Sequence, residues 1–330
     1  MIASVVSMPD GAVTRTGLSE ARERLAASDC LMVDIELPEE MPPEAQPVSG
    51  LLGLDGDTLE WFGRDGEPVR TEYDGETGGL VVPLVEDDNV VHVHVLLRDR
   101  YLITVHRGPV ELMEDFIARL CHDRPADLVA CLFLLLQSAL DTFRRSAGQG
   151  VLGVEDLEDE MFVRRRQRQV YRLALLRRSA SLLHHELLPF AQGMQELLTR
   201  RVVDSTLPEE RRALHRTYER NMTQALAAIE SLQDGTRRVM LTYSSLVSGE
   251  QNAVINRLTV VSMIFLPLTF ITGFFGMNFN YMTNELTSEG VFWLLAVGLQ
   301  IVILFAALYL VRHMQFWREL RDDSGRDTDD

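Results

Sequence analysis

Leu266-Pro-Leu-Thr-Phe-Ile-Thr-Gly-Phe-Phe-Gly-Met-Asn-Phe279 closes an uncharged run of 18 residues, Leu258 to Phe275, and carries it into a turn at Gly276-Met277-Asn278. A charge-free run of that length spans a bilayer as a helix. A second run, Val291 to Val311, has 21 residues and again no charge. Only 15 residues, Gly276 to Gly290, separate the two, so they form a hairpin of membrane spans. Thirteen apolar residues at Leu128 to Leu140, bounded by Asp127 and Asp141, instead fit a buried helix of a water-soluble domain.

Charge gives the hairpin its orientation. The connecting loop holds Glu285 and Glu289 and no Arg, whereas Arg257 flanks the first run and Arg312, His313, Arg318 and Arg321 follow the second. The positive-inside bias places the loop outside and both termini in the cytoplasm, in a multi-pass protein of the inner (plasma) membrane. Trp293 and Trp317 sit near opposite ends of the second run, where interfacial anchors belong.

The net charge is −17, and all 32 basic residues are Arg. An acidic chain lacks the phosphate-neutralising surface that nucleic acid requires, and it suits the handling of cations. The cysteines, Cys30, Cys121 and Cys131, are odd in number and without metal-site spacing, as expected of reduced core residues. The opening MIASVVSMPDG lacks the basic start and sustained apolar run of a secretory signal, so the N-terminal bulk is expected in the cytoplasm.

Upstream of the hairpin, residues 160–257 read as helix. Val170, Leu173, Leu176, Ala180, Leu183, Leu187, Phe190, Met194 and Leu197 recur at steps of three and four. The pattern resumes at Met222, Leu226, Ile229, Leu232, Thr236, Met240, Tyr243 and Val247 after a capped start near Thr206. A helix running from Pro208 into the first span would be roughly 100 Å long and needs partners within the chain and between copies. The first 110 residues differ: β-type runs at Cys30 to Leu37, Gly79 to Val85, Val90 to Leu97 and Tyr101 to His106 are separated by Gly and Asp turns. The fold class is therefore an α/β N-terminal cytoplasmic domain, a long α-helical stalk and a C-terminal two-helix transmembrane hairpin. The divisions are 1–150, 151–257, 258–275, 276–290, 291–311 and a tail at 312–330.

Motifs for catalysis are missing: there is no phosphate-binding glycine loop, zincin motif or paired cysteines, and no organic cofactor is implied. His92 and His94 share one strand face but read better as solvated than as metal ligands. His184, His185 and Glu186 are adjacent on a helix and point apart, and the acidic cluster Glu155, Asp156, Glu158, Asp159 and Glu160 reads as a solvated face. The first span is more informative. Ile255, Thr259, Ser262, Leu266, Thr269 and Gly273 make one stripe of alternating apolar, hydroxyl and glycine positions. Such a stripe suits a pore lining, and close helix packing through small residues is the alternative. At its outer end Gly276 lets the chain turn and Asn278 presents an uncharged amide oxygen. A ring of those oxygens suits a cation that keeps its waters, as Mg²⁺ does.

The stretch 266–279 resembles the signature of the CorA family of divalent-cation channels, and the hairpin, short acidic loop and helical stalk extend the resemblance over essentially the whole chain. It implies a homopentamer in the lipid bilayer that passes hydrated Mg²⁺, with Co²⁺ and Ni²⁺ as further cargo. It implies a filter at Gly276, Met277 and Asn278, a polar pore residue at Thr269, a constriction at Leu266, Leu258 and Ile255, and a ring at Asn252. Glu285 and Glu289 would attract cations to the mouth. The family also implies regulation by cytoplasmic Mg²⁺. The matching stalk position here is Thr217 rather than an aspartate, leaving Glu219, Glu210 or Glu209 as substitutes. The alternatives are a proton-coupled zinc transporter of the same superfamily, which Met277 disfavours, and a membrane-anchored sensor or scaffold.

Overall fold

A computed structural model of the chain describes residues 2–8, 10–27, 30–39, 48–54, 61–73, 77–163, 166–204, 209–277 and 288–324. Two compact units emerge, Met1–Leu241 and Thr242–Asp330.

The first unit is built on a sheet of β1 (Ile2–Ser7), β2 (Ala12–Thr16), β3 (Leu31–Leu37), β4 (Thr71–Tyr73), β5 (Gly78–Glu86), β6 (Asn89–Leu97) and β7 (Tyr101–Arg107). Their order is β2-β1-β3-β7-β6-β5-β4. β3 and β7 pair in parallel, with Val33 opposite Ile103, and the other neighbours are antiparallel. β3 is covered on both faces, which is why LMVDIEL reads as a nearly continuous apolar run. The β5–β6 turn places Asp87 at φ 47° and Asp88 at φ 64°, the paired left-handed geometry of a tight hairpin that Asp tolerates.

All four expected strands are present as β3, β5, β6 and β7. β1, β2 and β4 are additional, together with α1 (Leu18–Ala27) and α2 (Val48–Leu52). On one sheet face Val33, Ile35, Ile103 and Val105 pack with Val48, Leu52, Trp61 and Phe62. The other face meets α3 (Glu111–Asp123) and α4 (Leu128–Val163), where Cys131 Sγ lies 3.6 Å from Met32 Sδ and Thr142 Oγ1 accepts the Val85 amide at 2.8 Å. Leu128, Cys131, Leu132, Leu135, Leu136, Ala139 and Leu140 of α4 are buried in this unit, as their length predicted. The expected edge at residue 150 lies inside α4.

α5 (Gln167–Asp204) buries Leu173, Ala180, Leu183, Leu187, Phe190 and Met194, one stripe at helical spacing. α6 (Glu209–Phe275) is a single helix of 67 residues that begins in the first unit and ends in the second. Met222, Ile229, Leu232 and Thr236 are buried on it as expected, but the stripe then moves to Val239, leaving Met240 45% exposed. A period of 3.6 residues drifts against the shorter sequence repeat, and that drift is enough to pass from Met240 to its neighbour.

In the second unit the run Val291–Val311 is helical throughout but not uniformly α. It comprises the end of a three-residue turn α7 (Glu289–Val291), a π-helix at Phe292–Gly298 and the start of α8 (Leu299–Ser324). Among the described residues, one α-helix therefore has the length and composition of a membrane span, within Arg211–Phe275, and Leu299–Leu310 is a shorter apolar helix.

Candidate functional site

Exposure separates a membrane span from the core helix of a soluble protein. Only 6% of the most apolar window of α6 is buried, so most of its apolar side chains are open to the surroundings. The exposed and covered positions are not mixed. Val260, Ile264, Pro267, Leu268, Ile271 and Phe275 are the shielded residues, and Ile271 is the least exposed at 7%. Those positions lie roughly on the opposite side of the helix from the stripe. Asn252, Ile255, Leu258, Thr259, Ser262, Leu266, Thr269 and Gly273 are all exposed, with Leu266 at 74%.

Part of that free face is concave. Ser262, Leu266, Thr269, Gly273 and Met277 line a trough of about 590 Å³ together with Phe265, Phe270 and Phe274. The phenylalanines were not anticipated; Phe270 stacks on Phe274 with ring centres 6.4 Å apart. Their spacing beside the stripe was a readable signal for the walls of such a trough.

The hydroxyls have a fixed polarity. Thr259 Oγ1 donates to the Ile255 carbonyl at 2.9 Å and Thr269 Oγ1 donates to the Phe265 carbonyl at 2.7 Å. Threonine within a helix commonly makes this bond to the preceding turn. With its proton committed, each oxygen offers only lone pairs, that of Thr269 within the trough and that of Thr259 on the exposed face beyond it, so the face can accept hydrogen bonds and attract positive charge.

At the end of α6 the Gly276 amide still donates to the Thr272 carbonyl at 3.0 Å, and the Met277 amide donates to Phe274 at 3.2 Å. Gly276 is outside the left-handed region, so the glycine is not required for an unusual φ. A Cβ at 276 would stand 3.2 Å from the Thr272 carbonyl oxygen, a tight approach to the last turn of α6. Asn278 and Glu285 lie outside the described residues, whereas Glu289 is described and exposed.

The family model described as CorA-like Mg²⁺ transporter protein matches residues 32–313. The chain belongs to this family. As a CorA-family protein it is a divalent-metal-ion transporter of the membrane and not an enzyme. Among curated relatives, the cobalt/magnesium transport protein CorA of Methanocaldococcus jannaschii is 22% identical over 94% of this chain and 98% of its own length. That of Thermotoga maritima is 31% identical over 39% of this chain and 36% of its own. The complete structure of the M. jannaschii CorA magnesium transporter superposes with a TM-score of 0.73 at 20% identity, covering 94% of this chain and 96% of that one. The cytoplasmic domain of ZntB from Vibrio parahaemolyticus gives 0.57 at 11% identity, over 76% of this chain and 98% of that domain. The fold is that of a full CorA chain.

Elsewhere in this CorA-family chain the weaker sequence candidates separate. His92 Nε2 meets Glu186 Oε2 at 3.0 Å, a pairing between β6 and α5, while His94 is buried and its Nδ1 accepts the Gly63 amide at 3.1 Å. Burial, reinforced by His92, pushes His94 down to about 4, so it is neutral at physiological pH. Arg172 pairs with Glu160 at 2.9 Å, which partly neutralises the acidic cluster. Among the described residues no three His, Cys, Asp or Glu side chains converge as a metal site. Glu219 is exposed and lies 3.7 Å from His215, and the side chains of Glu209 and Glu210 are outside the described residues.

Proposed function

We propose that the chain is a Mg²⁺ channel of the inner (plasma) membrane, in which several copies, five by family resemblance, surround a pore lined by the 255–273 stripe. The reading takes Leu258–Phe275 and Val291–Val311 as two spans joined by an outer loop, with both termini in the cytoplasm. One observation carries it: the stripe is exposed on the side of α6 opposite its covered residues, and its threonine protons are already donated.

Mg²⁺ sheds its waters reluctantly, and an intact hydration shell turns water hydrogens outward. A lining that accepts hydrogen bonds therefore suits the hydrated ion better than one that donates them. Asn278 carbonyl oxygens would receive the ion at the mouth, with Gly276 and Met277 shaping the turn. Thr269, Ser262 and Thr259 would offer acceptors in succession. Leu266, Leu258 and Ile255 would narrow the path and close it by dewetting, and Asn252 would ring its inner end. The membrane potential supplies about 2.3 kcal/mol per elementary charge for each 100 mV. Glu285 and Glu289 would raise the local cation concentration in a salt-dependent manner.

Co²⁺ and Ni²⁺ are further cargo on this reading, because a filter that meets the hydration shell discriminates weakly among similar hydrated divalent ions. Ion uptake into proteoliposomes, comparing Mg²⁺, Co²⁺ and Zn²⁺ with and without a proton gradient, tests it. Mg²⁺ uptake driven by the membrane potential alone is expected; uptake of Zn²⁺ that requires the proton gradient would overturn the assignment.

A further inference from the structure

Gln300 is the only amide side chain between Val291 and Val311, a region where an unpaired polar group is costly. Its Nε2 donates to Thr272 Oγ1 at 2.9 Å, joining α8 to α6 within the second unit. Thr272 in turn donates to the Leu268 carbonyl at 2.8 Å, so its proton is committed and its oxygen is free to accept from Gln300. Thr272 lies about a quarter turn around α6 from the Ile255–Gly273 stripe. It is exposed and therefore sits at the border between the free face and the covered one, beside the buried Ile271.

A bond at the margin resists rotation of a helix about its axis more than one at the centre of its packed face, since rotation carries the margin toward or away from the neighbouring helix and so changes the bond length directly. Aliphatic contacts between apolar helices give little such restraint, because a small rotation exchanges one methyl contact for another. We infer that Gln300 is a positioning residue whose hydrogen bond to Thr272 fixes the rotation of α6 and keeps the Ser262–Gly273 stripe turned away from α8. The inference rests on the channel reading above for what the stripe does, but not for the rotation itself.

The test is a cysteine scan of residues 262–273 in the full-length protein, with Cys30, Cys121 and Cys131 replaced by Ala, reconstituted and probed with a charged thiol reagent. Labelling is expected at 262, 266, 269 and 273, spreading to neighbouring positions in Gln300→Leu and Thr272→Val. Thr272→Ser, which keeps the hydroxyl, should restore the original pattern. An unchanged pattern in Gln300→Leu and Thr272→Val, relative to the labelling at 266, overturns the inference. A second measurement keeps the native cysteines. Mg²⁺ flux should fall roughly three- to tenfold in each single variant, the range expected of one hydrogen bond between membrane helices. The double variant should lose no more than either single one, and additive losses would contradict the clasp. Absence of Mg²⁺ flux from the unsubstituted protein would instead overturn the channel reading, and the labelling pattern would still decide the rotation.

Discussion

His106 shows how much a single buried ring can control. Its Nδ1 lies 2.8 Å from the Gly108 carbonyl and its Nε2 lies 3.4 Å from Asp34 Oδ2, while the other Asp34 oxygen accepts the Thr104 hydroxyl at 2.6 Å. Both ring nitrogens thus face acceptors, and only the doubly protonated ring satisfies both. Burial by itself would push the pKa down, but the hydrogen bond and charge of Asp34, with the Gly108 carbonyl, outweigh it and hold His106 above its ordinary value. Its contribution is complete below the unfolded-state pKa and is lost as pH rises through the higher folded value. Amide exchange along β3 and β7, corrected for intrinsic rates, should therefore speed up as pH rises through that window. In His106→Gln the dependence should vanish, and an identical dependence in that variant would rule the histidine out. None of this was legible beforehand, because Asp34 and His106 are 72 residues apart and meet only through the parallel pairing of β3 with β7. The stripe on α6 was legible, because its residues repeat within one helix and their spacing alone sets the face they share.

At the scale of elements, burial sorts variants that sequence spacing treats alike. Ile229 is wholly buried and Met240 is 45% exposed, though both belong to the same expected stripe. Ile229→Ala should cost about 2–5 kcal/mol, and Met240→Ala should stay within about 0.5 kcal/mol, measured by chemical unfolding. Equal losses would mean that α6 packs in the register of the sequence repeat. For conduction the telling exchange is Thr269→Val, which keeps the shape of the side chain and removes the outward lone pairs. Flux should fall in Thr269→Val and persist in Thr269→Ser, as read by Mg²⁺ uptake; equal flux in both would leave the hydroxyl without a role. Strands that form central apolar runs were readable, whereas β4, with three residues, and β2, on an exposed edge, carry too little apolar pattern to be seen. The second apolar run was readable from its composition, but nothing in FWLLAVG announces a π-helix, since the wider turn does not alter the average hydropathy.

For the whole molecule, the two charge-free runs and the signature between them already pointed to a membrane transporter, and the family match over residues 32–313 agrees. The filter proposed for the 276–278 turn would need several copies of that turn brought together, a property that one chain does not contain. The most direct measurement is potential-driven Mg²⁺ uptake into proteoliposomes at low external Mg²⁺, comparing the unsubstituted protein with Asn278→Ala at equal amounts of assembled protein. The unsubstituted protein should take up Mg²⁺ without a proton gradient and Asn278→Ala should not; equal uptake by both would contradict the filter and the pore built on it.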